Sequence, residues 1–142
     1  MPGMLEKPPA PAADCSYWLP RHRKSVAAAR KLLRGFLAAQ PSGELFVETG
    51  ELMLSELVTN AVLHAMTPPG RLLYVHFSLH PDALRIEVHD AGAGRPYARP
   101  ATAEDEAGRG LWLVSQLASR WGCCPRAGGV GKAIWATIGG TK

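Results

Sequence analysis

The sequence predicts an α+β fold: a two-layer sandwich with a mostly antiparallel sheet and helices on one face. Three observations point there. Two stretches of helical period come early, over 24–39 and about 44–65. Two alternating segments then flank His80-Pro81-Asp82-Ala83, a hairpin turn. After an aperiodic stretch, a further helical segment leads into a closing pair of strands. The order β, α, α, β, β, loop, α, β, β fits helices packed on one side of a sheet.

Residues 1–16, with four prolines by Pro11, read as a disordered lead to a single domain over 17–142. Tyr17, Trp18 and Leu19 form a short edge strand stopped by Pro20. Val26, Ala29, Leu32, Leu33, Phe36 and Leu37 recur at helical steps, and Pro41-Ser42-Gly43 breaks the pattern. The second helix buries Leu45, Leu52, Leu57, Val58, Ala61, Val62 and Ala65 and ends at Pro68-Pro69-Gly70. Gly50 inside it costs about 1 kcal/mol of helix propensity relative to Ala. Strands follow at 72–79 and 84–89. In the second, Leu84, Ile86 and Val88 face one way and Arg85, Glu87 and His89 the other. Residues 91–107 lack periodicity, and a loop of that length tends to be functional. A third helix spans 108–120, with Leu111, Leu113, Val114, Leu117 and Ala118 as its apolar side. Strands at 121–126 and 132–138 close the fold around a glycine-rich turn.

The composition excludes several classes. A net charge of +4 without a Lys/Arg run argues against a nucleic-acid arm. The cluster Arg21, Arg23, Lys24, Arg30, Lys31 and Arg34 is a solvated helix face or a patch for an acidic partner. Three cysteines, two of them adjacent, do not make a disulfide framework or a zinc site. No apolar run approaches the roughly 18 residues of a membrane span, and the start lacks a secretory signal. The expectation is a reduced, cytoplasmic protein that binds neither membrane nor nucleic acid directly.

Three stretches carry chemistry. In SELVTNAVLHA (55–65), Glu56, Asn60 and His64 fall one helical turn apart. They are either a solvent face or a short-chain polar set for a ligand. The asparagine carbonyl suits Mg²⁺, and a glutamate one turn away suits a general base. In Asp90-Ala91-Gly92-Ala93-Gly94, strand alternation puts Asp90 on the inward face, where a carboxylate needs donors such as the exocyclic amine of a base. Gly92 and Gly94 let the backbone approach that ligand, unless the run is a simple turn. Gly108-Arg109-Gly110-Leu111 opens a helix after the loop. It is a glycine-capped start or a phosphate site built from free N–H groups, the helix dipole and a guanidinium. Two other glycine runs fail as motifs. Near Gly131-Lys132, Arg126 replaces the first P-loop glycine and Ala133 the magnesium hydroxyl. After Gly92 and Gly94, Tyr97 replaces the third glycine of a dinucleotide fingerprint.

Taken together, Glu-x-x-x-Asn on a helix, Asp-x-Gly-x-Gly after a strand and Gly-x-Gly-Leu opening a helix resemble the nucleotide signature of the GHKL (Bergerat-fold) ATPase/kinase superfamily, which includes gyrase, histidine kinases and MutL. ELVTNAVLHA, LPRHRKSVAAARKLLRGFL and KAIWATI look most like the small anti-sigma-factor serine/threonine kinases of actinobacteria. The resemblance implies ATP between helices and sheet under a short lid at 95–107. It implies Mg²⁺ on Asn60, with Glu56 as general base. It implies Asp90 on the adenine amine, with Gly92 and Gly94 beside the ring. Gly108, Arg109, Gly110 and Leu111 would hold phosphates, and Thr137 would support adenine through water. His64 falls where that subfamily often has histidine and is grouped with the nucleotide set. The resemblance further implies a sigma factor and a small anti-anti-sigma antagonist as partners, and dimers through the first strand and helix. The short lid, and no helical dimerisation segment with a phospho-accepting histidine, argue against a sensor histidine kinase. The alternatives are an ATP-binding regulatory module without transfer, and a nucleic-acid binder without ATP affinity.

Overall fold

The computed structural model describes residues 11–64, 72–90, 106–125 and 132–140. Strand β1 (Ala13–Pro20) leads into helix α1 (Lys24–Ala38). A 3-10 turn (Gly43–Phe46) precedes helix α2 (Val47–His64). Strands β2 (Leu72–His80) and β3 (Ala83–Asp90), helix α3 (Glu106–Leu117), and strands β4 (Arg120–Pro125) and β5 (Lys132–Gly139) complete the chain. The five strands form one sheet in the order β1-β2-β3-β5-β4, and every neighbouring pair is antiparallel. The helices cover one face, so the molecule is an α+β two-layer sandwich.

Alternation in the strands decides which side chains meet the helices. One row across the sheet runs Cys15, Phe77, Ile86, Ala136, Trp121, and the next runs Tyr17, Val75, Val88, Ile134, Cys123. Phe77, Ile86, Val75, Val88, Ile134 and Ala136 from these rows are buried, and they pack with Leu33 and Leu37 of α1, Met53, Leu54, Leu57 and Val58 of α2, and Leu111 and Val114 of α3. The opposite face carries polar and aromatic side chains. There Arg85 lies 4.3 Å from the centre of the Trp135 ring. Glu87 accepts from His89 Nε2 at 3.0 Å and from Arg85 Nε at 2.9 Å.

Several boundaries differ from the sequence reading. Strand β1 takes in Ala13–Ser16, which composition assigned to the lead, because the ladder to β2 supplies backbone partners that composition cannot reveal. The second helix starts at Val47, not near Glu44. Ser42 adopts a left-handed conformation (φ 62°) and a 3-10 turn intervenes. Of the residues expected on the buried side of the second helix, Leu57, Val58 and Ala61 are fully buried, but Leu52, and Leu45 in the 3-10 turn, are exposed, and Met53 and Leu54 are fully buried as well. In α3, Leu117 is exposed while Leu111, Val114 and Ala118 are buried.

Gly50 has a packing reason that outweighs its propensity. A Cβ there would lie 3.1 Å from Leu84 Cδ2 and 3.3 Å from Leu33 Cδ2. The glycine lets α2 settle closely onto the sheet. The three cysteines form no disulfide. No described helix is long and apolar enough to cross a membrane.

Candidate nucleotide site

The position of the site follows from how α2 and α3 run over the sheet. Helix α2 lies between its two neighbours: α1 packs on α2 and on β1 at one edge, and α3 packs on α2 and against β4 at the other. The start of α2 sits over the start of β3, since Gly50 approaches Leu84 and Ile138. Its C-terminal turn reaches the opposite end. Arg21 Nη1, just beyond β1, donates to Val62 O at 3.5 Å. That edge of β1 pairs with the start of β2, which in turn lies beside the end of β3. Asn60 and Asp90 therefore belong to the same end of the molecule.

Helix α3 is fixed by its tail. Ser119 donates its N–H to Thr137 O at 2.8 Å and its hydroxyl to Gly139 O at 2.6 Å. Gly139 pairs with Ala83 at the start of β3. The C-terminus of α3 thus lies at that end, and twelve residues of helix, about 18 Å, carry its N-terminus toward the end that holds Asp90. The helix begins at Glu106, so Gly108, Arg109 and Gly110 are inside its first turns rather than ahead of it. Their backbone is helical; the first turn of a helix directs unpaired N–H groups outward along its axis.

The flank of α2 is also determined. Glu51 and Ser55 face α1: Arg34 Nη1 donates to Glu51 Oε1 at 2.6 Å, and Arg30 Nη1 to Ser55 Oγ at 3.1 Å. At about 100° per residue, Glu56 and Asn60 occupy the other flank, on the side of α3. Asn60 is 8% exposed, and its Oδ1 is buried without a hydrogen-bond partner among the described residues. A buried amide oxygen left unmatched costs about 1–3 kcal/mol. Glu56, one turn earlier, is half-buried, and this burial raises its carboxyl above the ordinary 4.5. His64 is the last residue of α2.

Asp90 closes β3 on the core-facing side, 1% exposed. Beside it stands Lys132, the first residue of β5, 5% exposed, with Nζ 3.3 Å from Asp90 Oδ2. Lys132 was not singled out from sequence. The alternation that turns Asp90 inward, run back along β5 from Ile138 through Ala136 and Ile134, would have found it.

Thr137 does not join this set. It pairs with Arg85 on the outer face of the sheet, toward the start of β3, five residues along the strand from Lys132, or about 17 Å. The strand's alternation and register thus place Thr137 apart from Asp90 and Lys132. Gly92, Gly94 and the expected lid from 95 to 105 lie outside the described residues, as does the glycine-rich turn at 127–131.

The fold is an α+β sandwich with buried Asn60, Asp90 and Lys132 at one end between its layers. The family model of the histidine kinase-like ATPase domain matches residues 19–138, and the chain belongs to that family. No match was found among the curated proteins. Membership in this family implies the use of ATP.

The unmatched Asn60 Oδ1 fits a hard cation: an uncharged oxygen donor, already desolvated, at the end where the α3 N-terminus points. Among the described residues no group of three His, Cys, Asp or Glu stands ready to hold a metal. Asn60 would hold a Mg²⁺ ion, which would offset the phosphate charge of a bound nucleotide.

Proposed function

We propose that this chain is an ATP-dependent serine/threonine protein kinase of the anti-sigma type, which phosphorylates a small antagonist protein and binds a sigma factor. The observation that carries the kinase reading is Glu56: a half-buried carboxylate with a raised pKa, one helical turn from the unmatched Asn60 oxygen. The partner reading rests on the resemblance of ELVTNAVLHA and LPRHRKSVAAARKLLRGFL to the anti-sigma kinases.

Phosphoryl transfer asks a protein mainly for positioning and charge neutralisation. Asn60 would hold Mg²⁺, which when bound offsets phosphate charge. The first turn of α3 would offer its N–H groups to the phosphates, and Arg109 would add a guanidinium, as the resemblance implies. Asp90 accepts from the amine of the base. Glu56 takes the proton of a serine or threonine hydroxyl as its oxygen attacks the γ-phosphorus. The bond from that phosphorus to the β,γ-bridging oxygen breaks, and ADP leaves with the oxygen. Desolvation suits Glu56 to this task, because a base works best when its pKa approaches the working pH. The product carries nearly two added negative charges, which weakens the antagonist's docking and leaves the kinase to its sigma factor.

The test is incubation of the full chain with γ-labelled ATP, Mg²⁺ and a candidate antagonist. Label on a serine or threonine of the antagonist supports transfer. Nucleotide binding with no label transferred to any candidate leaves a switchable ATP-binding module instead. Purification from the source cell with and without ATP identifies the partner.

A further inference from the structure

The chemistry above leaves Lys132 unused. It faces Asp90 across the β3–β5 ladder. The rows before it on the same face are apolar: Leu84 with Ile138, Ile86 with Ala136, Val88 with Ile134. The face turns charged only in the last row, at the end where Asn60 and the α3 N-terminus lie. A buried ion pair is a weak device for stability, since apolar residues of similar volume commonly do as well or better. The ammonium has three donors, and among the described residues its one ion-pair partner is Asp90. A buried charge short of acceptors is costly unless a ligand supplies them.

We infer that Lys132 is a base-reading residue: Asp90 and Lys132 together present an acceptor beside a donor, matched to the amine and ring N1 of adenine. The inference rests on the nucleotide reading of this site. The carboxylate accepts from the exocyclic amine, and the ammonium donates to N1 while keeping its contact with Asp90. With Thr137 on the outer face, β5 reaches the base through Lys132. The pair also rejects the alternative purine edge. In hypoxanthine the six-position carries an oxygen and N1 carries a hydrogen, so acceptor would meet acceptor and donor would meet donor. Because Lys132 offsets the charge of Asp90, the floor of the site stays neutral and a neutral base enters without a net penalty.

The experiment is calorimetry of the full chain with Mg²⁺ and three probes: ATP, 1-deaza-ATP (ring N1 replaced by C–H) and ITP. The wild-type protein is expected to bind ATP about 10- to 100-fold tighter than 1-deaza-ATP, the usual worth of a hydrogen bond to a charged group. ITP is expected to bind at least as weakly as 1-deaza-ATP. Lys132→Met should narrow the gap between ATP and 1-deaza-ATP to within about threefold. Because that change strands a carboxylate in the core, Asp90→Asn combined with Lys132→Met, which removes both charges, serves as the second variant and should show the same narrowing. Equal affinity of the wild-type chain for ATP and 1-deaza-ATP, or for ATP and ITP, overturns the role of Lys132 while leaving the site intact. No heat with any of the three removes the nucleotide site itself and the inference with it.

Discussion

Asn60→Ala separates what the folded chain needs from what its ligand needs. Among the described residues Asn60 Oδ1 is buried and unmatched, a burden of about 1–3 kcal/mol. Alanine removes that oxygen and also favours the helix by about half a kcal/mol relative to asparagine. Lost packing offsets part of this gain, since the side chain is 8% exposed and lies at the edge of the core. The net expectation is a variant about 1–2 kcal/mol more stable than wild type, a rise of roughly 3–8 °C in Tm for a domain of this size. With Mg·ATP at a hundred times its Kd, the wild type gains about 2.7 kcal/mol. The variant gains almost nothing, having lost its oxygen donor. The two melting curves should therefore exchange order when nucleotide is added. Differential scanning fluorimetry with and without Mg·ATP reads both effects. A variant that melts well below wild type without ligand would make Asn60 a structural residue. A variant still stabilised by Mg·ATP as the wild type is would take Asn60 off the metal.

Other expectations follow from the same coordinates. Glu56→Gln should spare nucleotide binding and slow transfer about 100-fold or more, read by single-turnover labelling; an unchanged rate would deny it the role of base. Because burial raises the Glu56 pKa, the native state holds its proton more tightly than the unfolded chain does. Its contribution is favourable below pH 4.5 and is lost as pH rises through the folded value. Glu56→Gln should consequently be more stable than wild type near pH 7, and urea titrations at pH 4 and pH 7 that show no such change would contradict the burial argument. Glu87 behaves oppositely. His89 first, then Arg85, hold its carboxyl down to about 2, so its stabilisation is present above pH 4.5 and fades as pH falls toward 2. Glu87→Gln should lose up to about 3 kcal/mol at pH 7 and flatten the acid limb; an identical acid limb in the variant would refute this. Gly43→Ala places a Cβ 2.0 Å from Leu37 O, which is backbone and cannot yield. It should cost about 2–4 kcal/mol, and a wild-type Tm would show that the 3-10 turn moves freely.

Much of this architecture was legible in the sequence because periodicity records burial. The alternation of 84–89 in β3 by itself turns Asp90 inward, and spacing by four puts Glu56 and Asn60 on one flank of α2. Periodicity failed where two phases competed. Leu45 and Leu52 have the right residue type for the core, yet both are exposed, while Met53 and Leu54 join Leu57, Val58 and Ala61 in filling it. Local pattern also could not reveal that β1 begins at Ala13, since a strand at the edge of a sheet is held by its partner rather than by its own composition.

Helix and strand periods are local properties of the chain, so the order of the main elements and the polar residues among them can be read from the sequence. Tertiary structure alone decided which of those residues share an end of the sandwich. Registers between strands distant in sequence put Lys132, and not Thr137, beside Asp90. They did so because a side chain's height in a sheet is set by register with the neighbouring strand, while alternation within the strand settles only its face.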